Sequence, residues 1–297
     1  MTDAMITVIG GANIDIMATA SHALVPNDSN PGHVAMSYGG VAHNIARDLH
    51  ALGHPVRFAT IFGGDIFGTL CREQCEAAGL DLSLSQQRDG TRGGLYLCVN
   101  DHSGELVVAV ADTEAVTHIT PEWLAERIDE INNSDAVVAD TNIATAALLY
   151  LLDNCIAPLM VDTVSTAKAP RIIDALKASR DRRLHTLKLN RHEALAVTGA
   201  DDIDDAVRAL HAQGVQRVYV TLGSHGTLCS DGQAMHSLPA LPVTDIVNTN
   251  GAGDAFLAGV VHATLTGDAF IDTARTGLRA ARAALLSPHS VIQKSLI

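Results

Sequence analysis

Hydrophobic positions along the chain form short continuous runs that alternate with longer amphipathic stretches. The runs predict buried strands at residues 5–10, 56–63, 135–142, 158–164, 185–190 and 215–223. The amphipathic stretches have helical spacing at residues 40–53, 67–79, 122–132, 144–155, 169–179 and 204–214. This alternation predicts an α/β fold in which helices cover both faces of a mostly parallel central sheet.

Two segments interrupt the alternation. Residues 16–38 follow the first strand and include the stretch "VPNDSNPGHVAMSYGG", and residues 93–112 have the pattern of two strands joined by a turn. We expect both segments to form a small β-sheet lid that leaves the main layer. Because no long linker or repeat occurs, residues 1–297 are predicted to be one domain, with the lid at about 16–38 and 93–112.

Composition narrows the classes of function. The 297 residues are 47% hydrophobic, which is enough for a large core, and the net charge is -13 without a cluster of Lys and Arg. These values, with only 3% aromatic residues, argue against nucleic acid and anionic membranes as partners. The five cysteines form no disulfide or zinc pattern, and no signal-peptide or membrane-spanning pattern is present, so we expect a cytoplasmic protein.

The stretch "NTNGAGDAF", residues 248–256, places three small residues directly before an aspartate at the start of a helical pattern. The first backbone N–H groups of a helix lack intrahelical partners and bind anions, and small residues leave them accessible. Asp254 falls in the first turn, where it could take a proton from a hydroxyl beside a bound phosphoryl group. An equally valid interpretation of this motif alone is an aspartate that stabilises a helix N-terminus.

Four further motifs occur in a fixed order before this one: "GGANID" near the N-terminus, "YGGVAHNIA", "KLNRHE" and "TLGSHG". Together with "NTNGAGDAF" they resemble the ribokinase-like (phosphofructokinase-B type) family of carbohydrate and nucleoside kinases. The resemblance covers nearly the whole chain. It implies a ribokinase-like three-layer α/β/α sandwich with a β-sheet lid, and ATP and Mg²⁺ as cofactors.

The resemblance also implies roles for the matching residues. Asp254 would be the catalytic base, and the anion hole would be formed by Gly251, Ala252 and Gly253. Asn190 and Glu193 would organise Mg²⁺ and its waters. The nucleotide would lie against Thr221, Gly223, Gly226 and Thr249, and its phosphates would lie at Asn190, Gly251 and Gly253. The substrate would be held by Asn13, Asp15, Gly39, Gly40, Asn44 and Asp254.

Within the family, "NDSNPG", "LVVAVAD" and "VADTNI" are most similar to the pseudouridine kinase branch. The reaction implied is ATP-dependent phosphorylation of the nucleoside 5′-hydroxyl, and Asn30 and Asp112 join the expected substrate contacts. Val41 stands where many sugar kinases of the family have Lys, which favours a substrate other than free ribose. Asn248 replaces an aspartate that often helps to hold a monovalent cation in the family, so a K⁺ site at Asn248 is an open expectation.

Structural interpretations stay open beside these roles. Asn13 and Asp15 could cap a strand end, Asn30 could belong to a Pro-Gly turn, and Lys188 is only a candidate cleft residue. His43 is expected to pack or to face water, and the adenine pocket is expected near residues 277–291.

Three rival functions also remain. The chain could phosphorylate another nucleoside or a sugar such as ribose or fructose, or it could bind a nucleoside without catalysis. A nicotinamide-dependent oxidoreductase is the third, but "VIGGANID" lacks the G-x-G-x-x-G spacing of dinucleotide-binding loops. We also expect a homodimer in which two lids cover each other.

Overall fold

The computed structural model describes residues 4–181, 183–288 and 290–292. The strands are β1 Ile6–Ile9, β2 Asn13–Ala20, β3 Gly32–Gly39, β4 Val56–Ala59, β5 Ile61–Gly63, β6 Gln86–Arg88, β7 Gly94–Asn100, β8 Leu106–Asp112, β9 Ala136–Asp140, β10 Leu159–Asp162, β11 Leu184–Asn190, β12 Val215–Thr221, β13 Thr227–Ser230 and β14 Met235–Leu238. The α-helices are α1 Val41–Ala51, α2 Ile66–Ala77, α3 Pro121–Ala125, α4 Ile128–Asn132, α5 Thr145–Asn154, α6 Pro170–Ala178, α7 Arg191–Thr198, α8 Ile203–Ala212, α9 Ala252–Leu265 and α10 Phe270–Leu285.

The central sheet has the strand order β14-β13-β12-β11-β10-β9-β1-β4 within the described residues. Neighbouring strands in the series β4-β1-β9-β10-β11-β12 pair in parallel. Strands β13 and β14 add an antiparallel edge. The predicted α/β fold with a mostly parallel central sheet is therefore confirmed. Ligands of such sheets bind beyond the carboxyl ends of the strands, which is where most of the predicted site residues fall.

Alternate residues of each central strand enter two separate cores. Val137 and Ala139 pack with helices α5, α6 and α8 on one face, and Val138 packs with α1 and α9 on the other. Because successive strand residues point to opposite faces, a run that is apolar throughout is buried on both sides. This arrangement gives the three-layer α/β/α sandwich.

The second sheet has the order β3-β2-β7-β8 and leaves the main layer at two glycines, Gly39 and Gly94, which lie opposite Asn13 in register. It matches the small lid sheet that the two interrupting segments predict. Its strands also include residues 13–15, which precede the predicted start of the lid. The division of residues 1–297 into one domain and a lid stays a prediction, and residues 1–3, 182, 289 and 293–297 lie outside the described residues.

Two predicted elements are wrong in extent. The apolar run 56–63 is two strands, because Thr60 interrupts it and β5 pairs with β6 in a separate sheet. The predicted helix 122–132 is broken into α3 and α4 at Arg127, whose guanidinium donates to the Trp123 carbonyl and stacks on the Trp123 ring. The apolar run is continuous through Thr60 and the helical spacing is continuous through Arg127, so the sequence pattern predicts neither interruption. Strands β13 and β14 were not predicted.

Helices α9 and α10 approach each other closely at Gly259. A β-carbon on Gly259 would lie 2.8 Å from the Thr276 carbonyl oxygen and 2.9 Å from Gly277 Cα. We therefore expect Gly259→Val to lower the free energy of unfolding by about 1–3 kcal/mol, measured by urea denaturation. Arg275→Ala, on the exposed face of α10, is the control and should change it by no more than about 0.5 kcal/mol. Equal stabilities of the two variants would contradict this packing.

A search of the described residues finds no helix that is both long and apolar enough to cross a membrane.

Candidate active site

Helix α9 begins with backbone amides that no side chain caps. Gly251 at the N-cap has a φ of 79°, in the left-handed region that favours glycine, and a β-carbon there would collide with the backbone of Ser290. Ala252 and Gly253 follow in the first turn. Uncapped amides at the positive end of a helix dipole suit the anion hole that the sequence predicts, and anion binding there stays a prediction.

Asp254 lies in this first turn and is buried. Its Oδ2 accepts a hydrogen bond of 2.8 Å from Asn44 Nδ2, which helix α1 supplies. Burial and the nearby carboxylate of Asp162 raise the pKa of Asp254 to about 7, while Lys188 and Asn44 oppose the shift. A carboxylate that binds a proton near neutral pH has the property that a general base needs.

Lys188 lies directly below the anion-binding terminus. Its ammonium is buried, pairs with Asp162 Oδ2 at 2.8 Å, and would lie 2.7 Å from a β-carbon on Gly253. Burial lowers the pKa of Lys188, but the carboxylates of Asp162 and Asp254 outweigh burial and raise it overall. The sequence made Lys188 only a candidate, and the structure places its fixed positive charge beside both the anion hole and Asp254.

Asn190 and Glu193 are held to each other by a capping box at the start of α7. Glu193 Oε2 also accepts from the Thr163 hydroxyl at 2.7 Å, and Glu193 is buried. With both carboxylate oxygens in protein hydrogen bonds, this pair fits a water-mediated role toward Mg²⁺ better than direct ligation. Among the residues that the structure describes, no group of three or more His, Cys, Asp or Glu could hold a metal ion.

A groove of about 510 Å³ extends from the start of α9 across the edge of the sheet. It brings together five of the seven residues predicted for the nucleotide, Thr221, Gly223, Gly226, Thr249 and Gly253, with Ala252 beside Gly253 at one end. The other two, Asn190 and Gly251, do not line it. Its apolar wall includes Leu278 and Leu285 of α10, inside the segment in which the adenine pocket is expected. Residue 289 of that segment lies outside the described residues. The groove fits a nucleotide whose phosphates point toward the start of α9.

Most of the predicted substrate residues lie at the base of the lid. The Asn13 amide donates to Asp15, and Gly39 packs so closely on the Asp15 carboxylate that a side chain would collide with it. Gly40, with a φ of 105°, packs on the Gly11 carbonyl and starts helix α1, and Asn44 follows one turn later. Burial raises the pKa of Asp15 to about 6, and the Asn13 hydrogen bond opposes the shift. Helix α1 thus connects this pair to Asp254.

Three of the predicted site residues, Asn30, Asp112 and Asn248, form hydrogen bonds or ion pairs with other residues of the protein. The exposed Asn30 side chain closes its own turn by hydrogen bonds with Val25 and Asp28, as the structural interpretation expects. Asp112 at the end of β8 forms an ion pair with Arg92.

Asn248 uses its side-chain oxygen to accept from Asn250 N and directs its amide nitrogen to the Ser290 hydroxyl. A monovalent cation at Asn248 stays a prediction.

Sequence reasoning missed a pair of aspartates at the carboxyl ends of β9 and β10. Asp140 and Asp162 are register partners, and each is followed by a buried threonine. Asp140 accepts from the Gly11 and Ala42 amides, so it joins the first strand to helix α1. The repeated Asp-Thr dipeptide at the ends of two predicted neighbouring strands was the available signal.

His43 is buried, and burial lowers its pKa to about 4, which confirms the packing role.

The sequence pattern of the family described as pfkB family carbohydrate kinase matches residues 3–294. The chain belongs to this family. Pseudouridine kinase of Escherichia coli is 33% identical to the chain over 276 residues, which cover 91% of this chain and 87% of that protein. An uncharacterised sugar kinase of the same organism is 34% identical over 90% of this chain and 74% of its own length.

Solved structures of the family have the same fold. Arabidopsis thaliana ribokinase, whose structure was determined with ribose and ATP, superposes with a TM-score of 0.86 at 19% identity, covering 99% of this chain and 97% of the ribokinase. Membership of the pfkB family makes the chain a phosphotransferase with a hydroxyl group as acceptor. The family implies ATP as the phosphoryl donor, and Mg²⁺ is its typical partner.

Proposed function

We propose that this pfkB-family enzyme phosphorylates the 5′-hydroxyl of pseudouridine with ATP. The observation that carries the catalytic part is the buried Asp254 beside the uncapped amides of α9, hydrogen-bonded to Asn44 from the substrate side. The similarity to E. coli pseudouridine kinase over nine-tenths of the chain supports the choice of nucleoside.

In this proposal each element of the site has one task. ATP supplies the γ-phosphoryl group, and Mg²⁺ neutralises part of its charge. The amides of Gly251, Ala252 and Gly253 stabilise the charge on the transferred group, with Lys188 below them. Asp254 accepts the proton of the 5′-hydroxyl.

The substrate is held at the lid base, and closure of the lid excludes water as a competing acceptor. Asp15 can accept from two neighbouring ribose hydroxyls, and Asn13 fixes the orientation of its carboxylate. Asn44 contacts both the substrate and Asp254, so it sets the distance between the 5′-hydroxyl and the base.

A substrate panel tests the proposed function. Release of ADP is measured with pseudouridine, uridine, cytidine, adenosine, ribose and fructose at saturating MgATP. We expect the highest kcat/KM for pseudouridine. An equal or higher kcat/KM for a sugar or for another nucleoside would overturn the choice of substrate, and nucleoside binding without ADP release would favour a non-catalytic binding protein.

We also propose that two lids pair in a homodimer. Strand β8 is an edge of the lid sheet and exposes Val108 and Val110, and Val34 of the opposite edge strand is 72% exposed. Exposed apolar edge strands invite pairing with another chain. Light scattering should give twice the mass of the chain, and replacing Val108 and Val110 by Lys should give the monomer mass. A monomeric wild-type protein at working concentration would contradict the dimer.

A further inference from the structure

Two polar side chains beside the substrate residues have no part in the reaction described above. Asn142 follows β9, and Lys168 lies in the loop after β10; both are half-buried. Asn142 lines a cavity of about 30 Å³ at the root of the lid together with Gly11, Asn13 and Gly94. Asn142 therefore lies next to Asn13, and Lys168 joins this site through its hydrogen bond to Asn142.

The Asn142 amide has one defined orientation. Its Nδ2 donates to Asp140 Oδ2 at 2.8 Å, and its Oδ1 accepts from Lys168 Nζ at 2.5 Å. A flipped amide would put its NH₂ group against an ammonium and its oxygen against a carboxylate, so the orientation follows from the two partners. Arg171 holds the backbone by donating to the carbonyls of Thr141 and Asn142 at 2.9 and 2.8 Å.

The loop that carries Lys168 is held in an unfavourable conformation. Val164 has a φ of 60°, which is rare and unfavourable for a β-branched residue. Its N–H donates to Asp162 Oδ1 at 2.8 Å, so the carboxylate that pairs with Lys188 also fixes this turn. Such local strain concentrates at ligand-binding sites, where the surrounding structure maintains it.

Lys168 keeps donors available for a ligand. Within the described residues no carboxylate lies within 4.0 Å of its ammonium, and its hydrogen bond to Asn142 uses one of three donors. Asn142 Oδ1 retains one lone pair and Nδ2 retains one N–H. In order, the pair thus offers Lys168 Nζ as a donor, Asn142 Oδ1 as an acceptor and Asn142 Nδ2 as a second donor.

This set complements a cyclic imide, in which one N–H stands between two carbonyl oxygens. We propose that Lys168 and Asn142 recognise the imide edge of a pyrimidinedione base and thereby select nucleosides that carry it. Lys168 Nζ and Asn142 Nδ2 donate to the two carbonyl oxygens, and Asn142 Oδ1 accepts from the imide N–H. The inference rests on the proposed nucleoside kinase function and adds the residues that choose the base.

The complementarity has a consequence for other substrates. Cytosine presents a ring nitrogen lone pair at the position of the imide N–H, so it would face Asn142 Oδ1 with two acceptors in contact. Free sugars present no base at all. Pseudouridine and uridine share the imide edge, so this subsite admits both and their discrimination depends on other contacts.

Lys168→Met tests the proposal, because it keeps the length of the side chain and removes its donors. Pseudouridine, uridine, N3-methyluridine and cytidine are compared in the ADP-release assay. Lys177→Met removes an exposed positive charge from the following helix and is the matched control. Asn142→Leu is the second variant, and thermal unfolding verifies that each variant is folded.

We expect Lys168→Met to lower kcat/KM for pseudouridine and uridine about 10- to 100-fold through KM, since a hydrogen bond from a charged donor is lost. The kcat values and the kcat/KM for cytidine and N3-methyluridine should change little, and Lys177→Met should match the wild type. Asn142→Leu should abolish the preference for uridine over cytidine.

If Lys168→Met lowers kcat/KM equally for all substrates, or is folded and lowers it for none, the proposed subsite is overturned. The panel separates the two proposals. A wild-type enzyme that prefers uridine to pseudouridine, yet loses that activity in Lys168→Met, would contradict the proposed substrate and uphold the subsite. A wild-type enzyme that accepts sugars alone would overturn both.

Discussion

We expect Asp254→Asn to lower kcat by between about a hundredfold and ten thousandfold, because the variant can neither accept the proton nor supply the negative charge. The Asn44 hydrogen bond can persist, since an asparagine oxygen accepts from Asn44 Nδ2 as the carboxylate does. Nucleoside binding, measured by calorimetry, should therefore stay close to that of the wild type. Loss of kcat with binding retained is the signature of a group that acts in the chemical step.

The control for this experiment is Asp272→Asn in the first turn of α10, which removes an exposed carboxylate distant from the groove. It should leave both kcat and binding unchanged. An Asp254→Asn enzyme that keeps wild-type turnover would refute the role of Asp254 as the base. A variant whose nucleoside affinity falls as much as its kcat/KM would show that Asp254 acts in substrate binding.

We expect Lys188→Met to lower kcat about 10²- to 10³-fold, since it removes the buried positive charge below the proposed anion hole. Lys188 also opposes the rise in the pKa of Asp254, so the variant needs a higher pH for activity. The rate profile against pH should therefore shift to the alkaline side. A role in folding alone would not move that profile.

Stability must be separated from catalysis in this variant. Removing Lys188 leaves Asp162 buried without its cation, which costs about 3–5 kcal/mol when one partner of a buried pair is removed. The double variant Asp162→Asn/Lys188→Met removes both charges and should recover much of the stability without recovering kcat. Recovery of kcat together with stability would show that Lys188 acts only through the fold.

The local structure that the sequence predicts around the candidate site residues is the part that neighbouring residues determine. Gly251 and Gly226 need positive φ values, and Asp254 and Thr221 follow directly from a helix start and a strand end. Each property depends on a few neighbouring residues, so a motif is enough to predict it. The order of the motifs then predicts the groove, because parallel strands bring their carboxyl ends to one edge of the sheet.

The sequence missed Asn142 and Lys168 and named Lys188 only as a candidate, because their contacts depend on pairing across the fold. Lys188 gains its role from Asp162, 26 positions earlier, and the contact requires that β10 and β11 be neighbours in register. Asn142 acquires a fixed amide only when Lys168 reaches it from another loop. In the proposed function, the roles of Asn30 and Asp112 depend on how the lid closes over a substrate, which no local pattern specifies.

The pH dependence of kcat/KM for the preferred substrate tests the central claim most directly. Burial raises the pKa of Asp254 to about 7, and only the ionised carboxylate can accept a proton. Below that pH, kcat/KM should fall roughly tenfold for each pH unit, after correction for separately measured MgATP binding, and the residual activity of Asp254→Asn should lack this dependence. A wild-type profile that stays flat through this range, or an Asp254→Asn profile that keeps the same slope, would contradict the assignment of Asp254 as the base.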